Sequence, residues 1–353
     1  MKVGSNVLAR PDGTLDVTRV SSLVDQISRL RRAGVEVILI SSGAVACGRS
    51  ELRNLDTRRL DNVEQRQLFS AVGQVKLINR YYDLFRDQGI QVGQVLTMKE
   101  SFATRRHYLN QRSCMMVMLQ NGVIPIVNEN DTVSVTELMF TDNDELSGLV
   151  AAMMDCDALI ILSNIDGIYD GDPKLPGSKV IERVDPAKDL SEYILTEKSG
   201  FGRGGMVTKY NIARKVADEG IEVVIANGKR PDILLSLVLG QGDAPSTRFS
   251  PSASPASSMK RWIAHSEGFA KGRLHLNGNA VRAIASEHAV SLLPVGITRV
   301  EGDFEKDDLV KVVDPDGKVI GVGRTAYSSA DAREVCGRHD CRPIIHYDYL
   351  YLD

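Results

Sequence analysis

Five short runs carry the residue types that could do chemistry, and each has a recognisable place in the chain. Ser41-Ser42-Gly43-Ala44 follows the apolar stretch Val35–Ile40. Small residues there let a ligand approach the backbone, and a helix start offers free N–H groups to an anion; a plain tight connection is the bland alternative. Asn128-Glu129-Asn130-Asp131 follows Ile124–Val127. Asn brings donors and an acceptor, Asp acceptors only, which suits the ammonium and amide-like groups of a small zwitterion. An Asx-rich turn would use the same residues. Thr141-Asp142-Asn143-Asp144 opens the apolar stretch Leu149–Met154. One acid suffices to cap a helix there, so the others are available to orient cations or a substrate nitrogen. Ser163-Asn164 begins a polar loop that runs to Pro173 and suits a nucleotide edge. Ser199 to Lys209 is Gly-rich. Successive backbone N–H groups in such a turn form an anion nest, and Lys209 adds a full charge.

Two phosphate motifs are excluded. Gly200, Gly202 and Gly205 fit G-x-G-x-x-G, but no strand precedes them and they lie late in the chain. No G-x-x-x-x-G-K-[ST] occurs. Neither a dinucleotide fingerprint nor a P-loop is present, and a phosphate cradle of another type remains.

The elements that must position these runs share a rhythm. Gly34, Gly89, Gly122 and Gly220 each follow a helix-like stretch and precede a β-branched one, as helix C-terminal glycines do. Upstream, Val20, Leu23, Val24, Ile27 and Leu30 recur at helical spacing, and Leu68, Val72, Val75, Leu77, Ile78 and Tyr82 do so less strictly. Strands are expected at Val35–Ile40, Val92–Thr97, Ile124–Val127, Ala158–Leu162 and Ile221–Ala226. The alternation predicts an α/β fold, an open, mainly parallel sheet sandwiched by helices. Ligands bind such sheets outside the carboxyl ends of the strands.

Near 241–258 the composition turns small, polar and Pro-rich, as in a linker. Beyond it short segments at Gly272–Leu276, Ser291–Leu293, Leu309–Val313 and Val319–Val322 predict a small, mostly β domain. A length of 353 residues agrees with two domains. The net charge is −3, and five Cys are odd in number and scattered, which suits unpaired thiols in the cytoplasm. No run has the roughly 20 apolar residues of a membrane span.

In order and spacing, Lys2-Val3-Gly4-Ser5, Ser41-Ser42-Gly43-Ala44, Ala71-Val72-Gly73-Gln74, Asn128-Glu129-Asn130-Asp131, Asp142-Asn143-Asp144, Asp166-Gly167-Ile168-Tyr169 and Gly204-Gly205-Met206-Val207-Thr208-Lys209 resemble the amino acid kinase family, in its bacterial glutamate 5-kinase branch. Lys260-Arg261-Trp262-Ile263 and the β segments after it resemble that branch's PUA domain. The resemblance implies a kinase domain over 1–262 and a PUA-like domain over 268–353. It implies ATP-dependent phosphorylation of the glutamate side-chain carboxylate, the first step of proline synthesis, with Mg2+ carried by the nucleotide and proline as feedback inhibitor. By motif, Ser42, Asp131 and Asn143 hold L-glutamate, with help from Gly43 and Asn128. Ser163, Asn164 and Arg203, Gly204, Gly205, Met206, Val207, Thr208 and Lys209 hold ATP. Lys2 and Lys209 are expected on the phosphoryl oxygens from opposite sides, with Asp144 orienting both. A homodimer or homotetramer is implied.

Two departures from the pattern stand out. The family's lysine ends a buried first strand, whereas only Met1 precedes Lys2. The usual strand pairing is therefore not expected here, and the true start is expected upstream. Arg203 stands where a small polar residue is usual. The relatives acetylglutamate kinase, aspartokinase, carbamate kinase and uridylate kinase share the fold, but the Asn128–Asp131 and Asp142–Asp144 runs favour free glutamate. An RNA-binding PUA protein is the alternative of another class, and 11 basic against 13 acidic residues from Gly268 to Asp353 disfavour it. Cys336, His339 and Cys341 place three soft ligands in one loop, short of the paired Cys-x-x-Cys sites of a zinc fold; no metal site is assigned.

Overall fold

The computed structural model describes residues 1–102, 105–133, 140, 142–173, 175, 177–185, 205–253, 263, 270–285 and 290–352. The chain divides into two units, Met1–Ser101 with Arg106–Pro255, and Ala256–Asp353 with Phe102–Arg105.

Among the described residues of the first unit, eight strands form one sheet. They are β1 (Lys2–Val3), β2 (Leu39–Ser41), β3 (Val92–Thr97), β4 (Ile124–Glu129), β5 (Ala158–Ser163), β6 (Arg183–Val184), β7 (Glu222–Asn227) and β8 (Ser246–Phe249). Their order is β3-β4-β2-β1-β5-β7-β8-β6. Every pairing is parallel except β7 with β8. The chain winds outward from β1 to β3 on one side and from β1 through β5 to β7 on the other. The direction reverses at β1 and β5, where doubly wound sheets open a crevice.

The helices are α1 (Ser5–Leu8), α2 (Val17–Arg32), α3 (Ala44–Glu51), α4 (Asn62–Asp87), α5 (Arg105–Gln120), α6 (Asn143–Met153), α7 (Met206–Asp218) and α8 (Ile233–Leu239). The four helix-to-strand glycines, Gly34, Gly89, Gly122 and Gly220, all have φ between 71° and 86°, the left-handed region where a Cβ is strained. The α2 stripe is as expected, with Val20, Leu23, Val24, Ile27 and Leu30 buried. On α4 the buried face is instead Phe69, Gly73, Leu77, Tyr81 and Phe85, and Val75 and Tyr82 are exposed. α3 and α4 press backbone to backbone. A Cβ on Gly73 would stand 1.8 Å from the Ala44 carbonyl oxygen, and one on Gly48 1.8 Å from that of Phe69.

Three expectations are corrected. The terminal strand is paired: Lys2 aligns with Ile40 of β2 and with Ile161 of β5. The Met1 amine also donates to the Ile38 carbonyl at 2.7 Å. Two residues suffice because both neighbours and the buried Val3 hold them. The strand expected at Val35–Ile40 shortens to Leu39–Ser41, while β4 extends through Asn128 and Glu129. Within the supposed linker, Ser246–Phe249 is strand β8, with Ser246, Thr247 and Phe249 buried.

The second unit has its own core, which includes Leu274, Phe304, Val310, Val312, Ile344 and Ile345. Its described strands β9 (Gly272–Leu276), β10 (Ile297–Gly302), β11 (Leu309–Val313), β12 (Val319–Arg324) and β13 (Leu350–Leu352) run in the order β10-β9-β11-β12-β13. Helices α9 (Gly278–Ile284) and α10 (Ser329–Val335) accompany them. Ser291–Leu293 is no strand but carries one bridge, Leu292 to Ile345. Among the described residues, no helix is long and apolar enough to cross a membrane. Nor does any group of three His, Cys, Asp or Glu stand together as a metal site.

Candidate active site

A cleft of about 880 Å³ opens along the carboxyl ends of β1, β2, β4, β5 and β7. Lys2 projects from β1 and is buried. α6 brings Asp144 to meet it. Asp142 caps this helix, accepting from the Asp144 amide at 2.9 Å and the Glu145 amide at 3.1 Å. Asp142 thus performs the capping, and Asp144 is left to face the cleft. The Asp144 carboxylate is 1% exposed and sits between two ammonium groups. Lys2 Nζ lies 2.6 Å from Oδ1 and Lys209 Nζ 2.9 Å from Oδ2. Burial pushes the Asp144 carboxyl up, but the two lysines overrule it and hold it below the ordinary carboxylate range. Asp142, buried beside Asp144, is pushed up to about 6.

One end of the cleft is a ring of amides and carboxylates. Asn143 Nδ2 donates to Ser42 Oγ and to Asn128 Oδ1, both at 2.9 Å. Asn128 Nδ2 donates to Gln74 Oε1 at 2.9 Å. Asp131 accepts from Ser70 Oγ at 3.0 Å and is ion-paired with Arg66. Arg66 also reaches Glu129 Oε2 at 3.1 Å. Burial and the neighbouring Asp131 carboxylate push Glu129 up to about 7. Gly43 has φ 112° and is the N-cap of α3, and it lines the cleft together with the first residues of that helix, whose first-turn amides have no partner within the helix.

The other end lies beyond β5 and β7. Ser163 is the last residue of β5 and Asn164 follows it. Gly205 precedes α7, and both Met206 and Lys209 line the cleft, one turn apart. Val207 and Thr208 are not among the lining residues, because a helix turns them away. Arg203 and Gly204 lie outside the described residues. Asp166 forms a two-pronged pair with Arg230, Nε and Nη2 each at 2.7 Å. Asn227 donates to Asp166 at 3.1 Å. These bonds, the Arg230 pair first, hold the Asp166 carboxyl low.

The structure therefore gathers Lys2, Ser42, Gly43, Asn128, Asp131, Asn143, Asp144, Ser163, Asn164, Gly205, Met206 and Lys209 around one cleft. Sequence reasoning missed Arg66, Ser70, Gln74, Asp166 and Arg230 as site residues. A signal for the first three existed. They repeat every four residues, so one face of α4 carries all three. Nothing in the spacing of Asp166 and Arg230 pairs them; β5 and β7 do so by lying side by side.

Comparison with known proteins is consistent over the whole chain. Residues 1–227 match the model of the amino acid kinase family, and residues 272–347 match that of the PUA domain. A glutamate 5-kinase of Bacteroides thetaiotaomicron is 66% identical over 353 residues, all of this chain and 98% of that one. Another, of Chlorobaculum tepidum, is 49% identical over all of this chain and 96% of its own. Among solved structures, a carbamate kinase from Giardia lamblia covers 71% of this chain and 97% of its own at a TM-score of 0.53. At 16% identity that likeness speaks to the fold. With its first domain and the length of its relatives both accounted for, the chain belongs to the amino acid kinase family, as a kinase of the glutamate 5-kinase branch that carries a PUA domain.

Proposed function

We propose that this kinase transfers the terminal phosphoryl group of ATP to the side-chain carboxylate of free L-glutamate, forming γ-glutamyl phosphate in the cytoplasm as the first step of proline synthesis. The observation that carries this reading is the buried Asp144 held between Lys2 and Lys209, in a cleft also lined by Asn128, Asp131 and Asn143 and by the start of α7. A carboxylate is already a nucleophile, so the site needs no general base. It must instead overcome repulsion between that carboxylate and the polyphosphate, and stabilise charge on the transferred oxygens. Two ammonium groups fixed to opposite oxygens of one carboxylate supply both effects without reorganising. The N-terminus of α7, whose N-cap is Gly205 and so brings no side chain, has Lys209 one turn in and the chemistry to hold phosphates. Mg2+ enters with the nucleotide and supplies charge neutralisation. Asp131 receives the substrate ammonium, and Ser42, Asn143 and the Gly43 turn receive its α-carboxylate.

Proline shares the ammonium and α-carboxylate, which supports feedback inhibition by competition at the same ring. The active form is a homodimer or homotetramer. The decisive assay is ATP turnover against glutamate, aspartate and N-acetylglutamate, with hydroxylamine trapping the acyl phosphate. Glutamate-dependent hydroxamate is expected. Turnover with either of the others and none with glutamate would overturn the reading.

A further inference from the structure

The polar side chains at the carboxyl end of β4 and just beyond it meet helix α4. Successive turns of α4 take three of them. Gln74 takes Asn128, Ser70 takes Asp131, and Arg66 takes both Glu129 and Asp131. Resting on the proposed function above, we propose that Arg66 is a positioning residue for the acceptor amino acid: it holds the buried Glu129 and Asp131 carboxylates side by side at the end of the cleft that meets the substrate ammonium.

Charge makes the case. Glu129 is 4% exposed and Asp131 7%. Two such carboxylates side by side repel each other and are poorly hydrated, so one would keep its proton or turn away. A single guanidinium can bond both at once, which an ammonium does less well. Arg66 from α4, Asp131 just beyond the end of β4, and the Phe140 amide, which donates to Glu129 Oε1 at 2.9 Å, all face Glu129. Burial and Asp131 raise the Glu129 carboxyl, while the Phe140 amide and Arg66 lower it. Removing Arg66 therefore extends protonation to higher pH and discharges the group that should meet the ammonium.

The test compares wild type, Arg66→Gln and Arg66→Lys across pH, on whichever acceptor the wild type phosphorylates. In Arg66→Gln the acceptor KM rises roughly 10–100-fold, as for a buried charge left without its partner, while ATP KM and kcat stay within about threefold. The pH at which acceptor kcat/KM reaches half its plateau moves up by about one unit. Arg66→Lys restores most of the loss and moves the midpoint back. Equal rises in both KM values, an unmoved midpoint, or a Lys variant no better than Gln would overturn the proposal. If Arg66→Gln does not fold, Arg66→Met, which keeps the aliphatic stem and removes the charge, carries the same KM and pH comparison. Failure of the wild type to use glutamate counts against the reaction assigned above; failure of this split counts against Arg66 alone.

Discussion

Replacing Asp144 by Asn keeps the shape of the site and removes its central charge. Both ammonium groups lie within 3 Å of that carboxylate, at 2.6 and 2.9 Å. At an effective dielectric of about 20, each contact is worth roughly 6 kcal/mol of attraction before desolvation is subtracted. Without the carboxylate, two neighbouring cations repel with nothing between them. They separate, and the transferred phosphoryl group meets lysines that are no longer fixed. Loss of one preorganised electrostatic contact typically costs about 10²–10³ in rate, and that fall in kcat is expected of Asp144→Asn. ATP affinity should change little, because the phosphates attract both lysines whether or not they are prearranged. Hydroxamate trapping gives kcat, and calorimetric titration gives ATP binding. A variant with near-normal kcat and a raised glutamate KM would refute the argument, since Asp144 would then be a substrate ligand and not an organiser of cations.

Three further outcomes follow from the geometry. Gly73→Ala places a Cβ against the Ala44 carbonyl at 1.8 Å, and the lowered thermal midpoint should report a loss of about 3 kcal/mol or more; an unchanged midpoint would mean α3 and α4 can part. Arg230→Ala frees Asp166 at the nucleotide end and should raise ATP KM about tenfold, roughly 1.4 kcal/mol, with glutamate KM nearly constant; the reverse pattern would place Arg230 at the wrong end. Asp144 is held below its unfolded value, so its contribution is present above the unfolded pKa of about 4 and is lost as pH falls through the folded value. Thermal midpoints taken from about pH 5 to about pH 2 should therefore drop more steeply in wild type than in Asp144→Asn; parallel slopes would disprove the linkage.

Much of the first domain was legible because its signals are local. A Gly in the left-handed region after a helix, then a β-branched run, is written in consecutive residues, and all four such glycines have the expected backbone. β3 and β9 begin and end where the residue pattern placed them. Strand ends were less legible. Asn128 and Glu129 are polar, yet they complete β4 because β3 offers their backbone a partner at Leu96 and Thr97. β8 was hidden in a polar, Pro-flanked stretch, where pairing with β7 and β6 makes a strand of it.

The sequence by itself determined which side chains stand at the carboxyl ends of the strands, and that Asp142 or Asp144 would be surplus to capping. It also determined that Lys209 follows a Gly-rich turn. Tertiary structure alone decided which acid caps and which pairs, since that depends on where β1 and α7 deliver their lysines. It decided as well that a two-residue strand can be held from both sides at the centre of the sheet. Arg66 and Arg230 entered the site only through the fold. Their partners lie 63 to 65 and 64 residues away in sequence, and no local spacing encodes a contact that exists because two elements pack together.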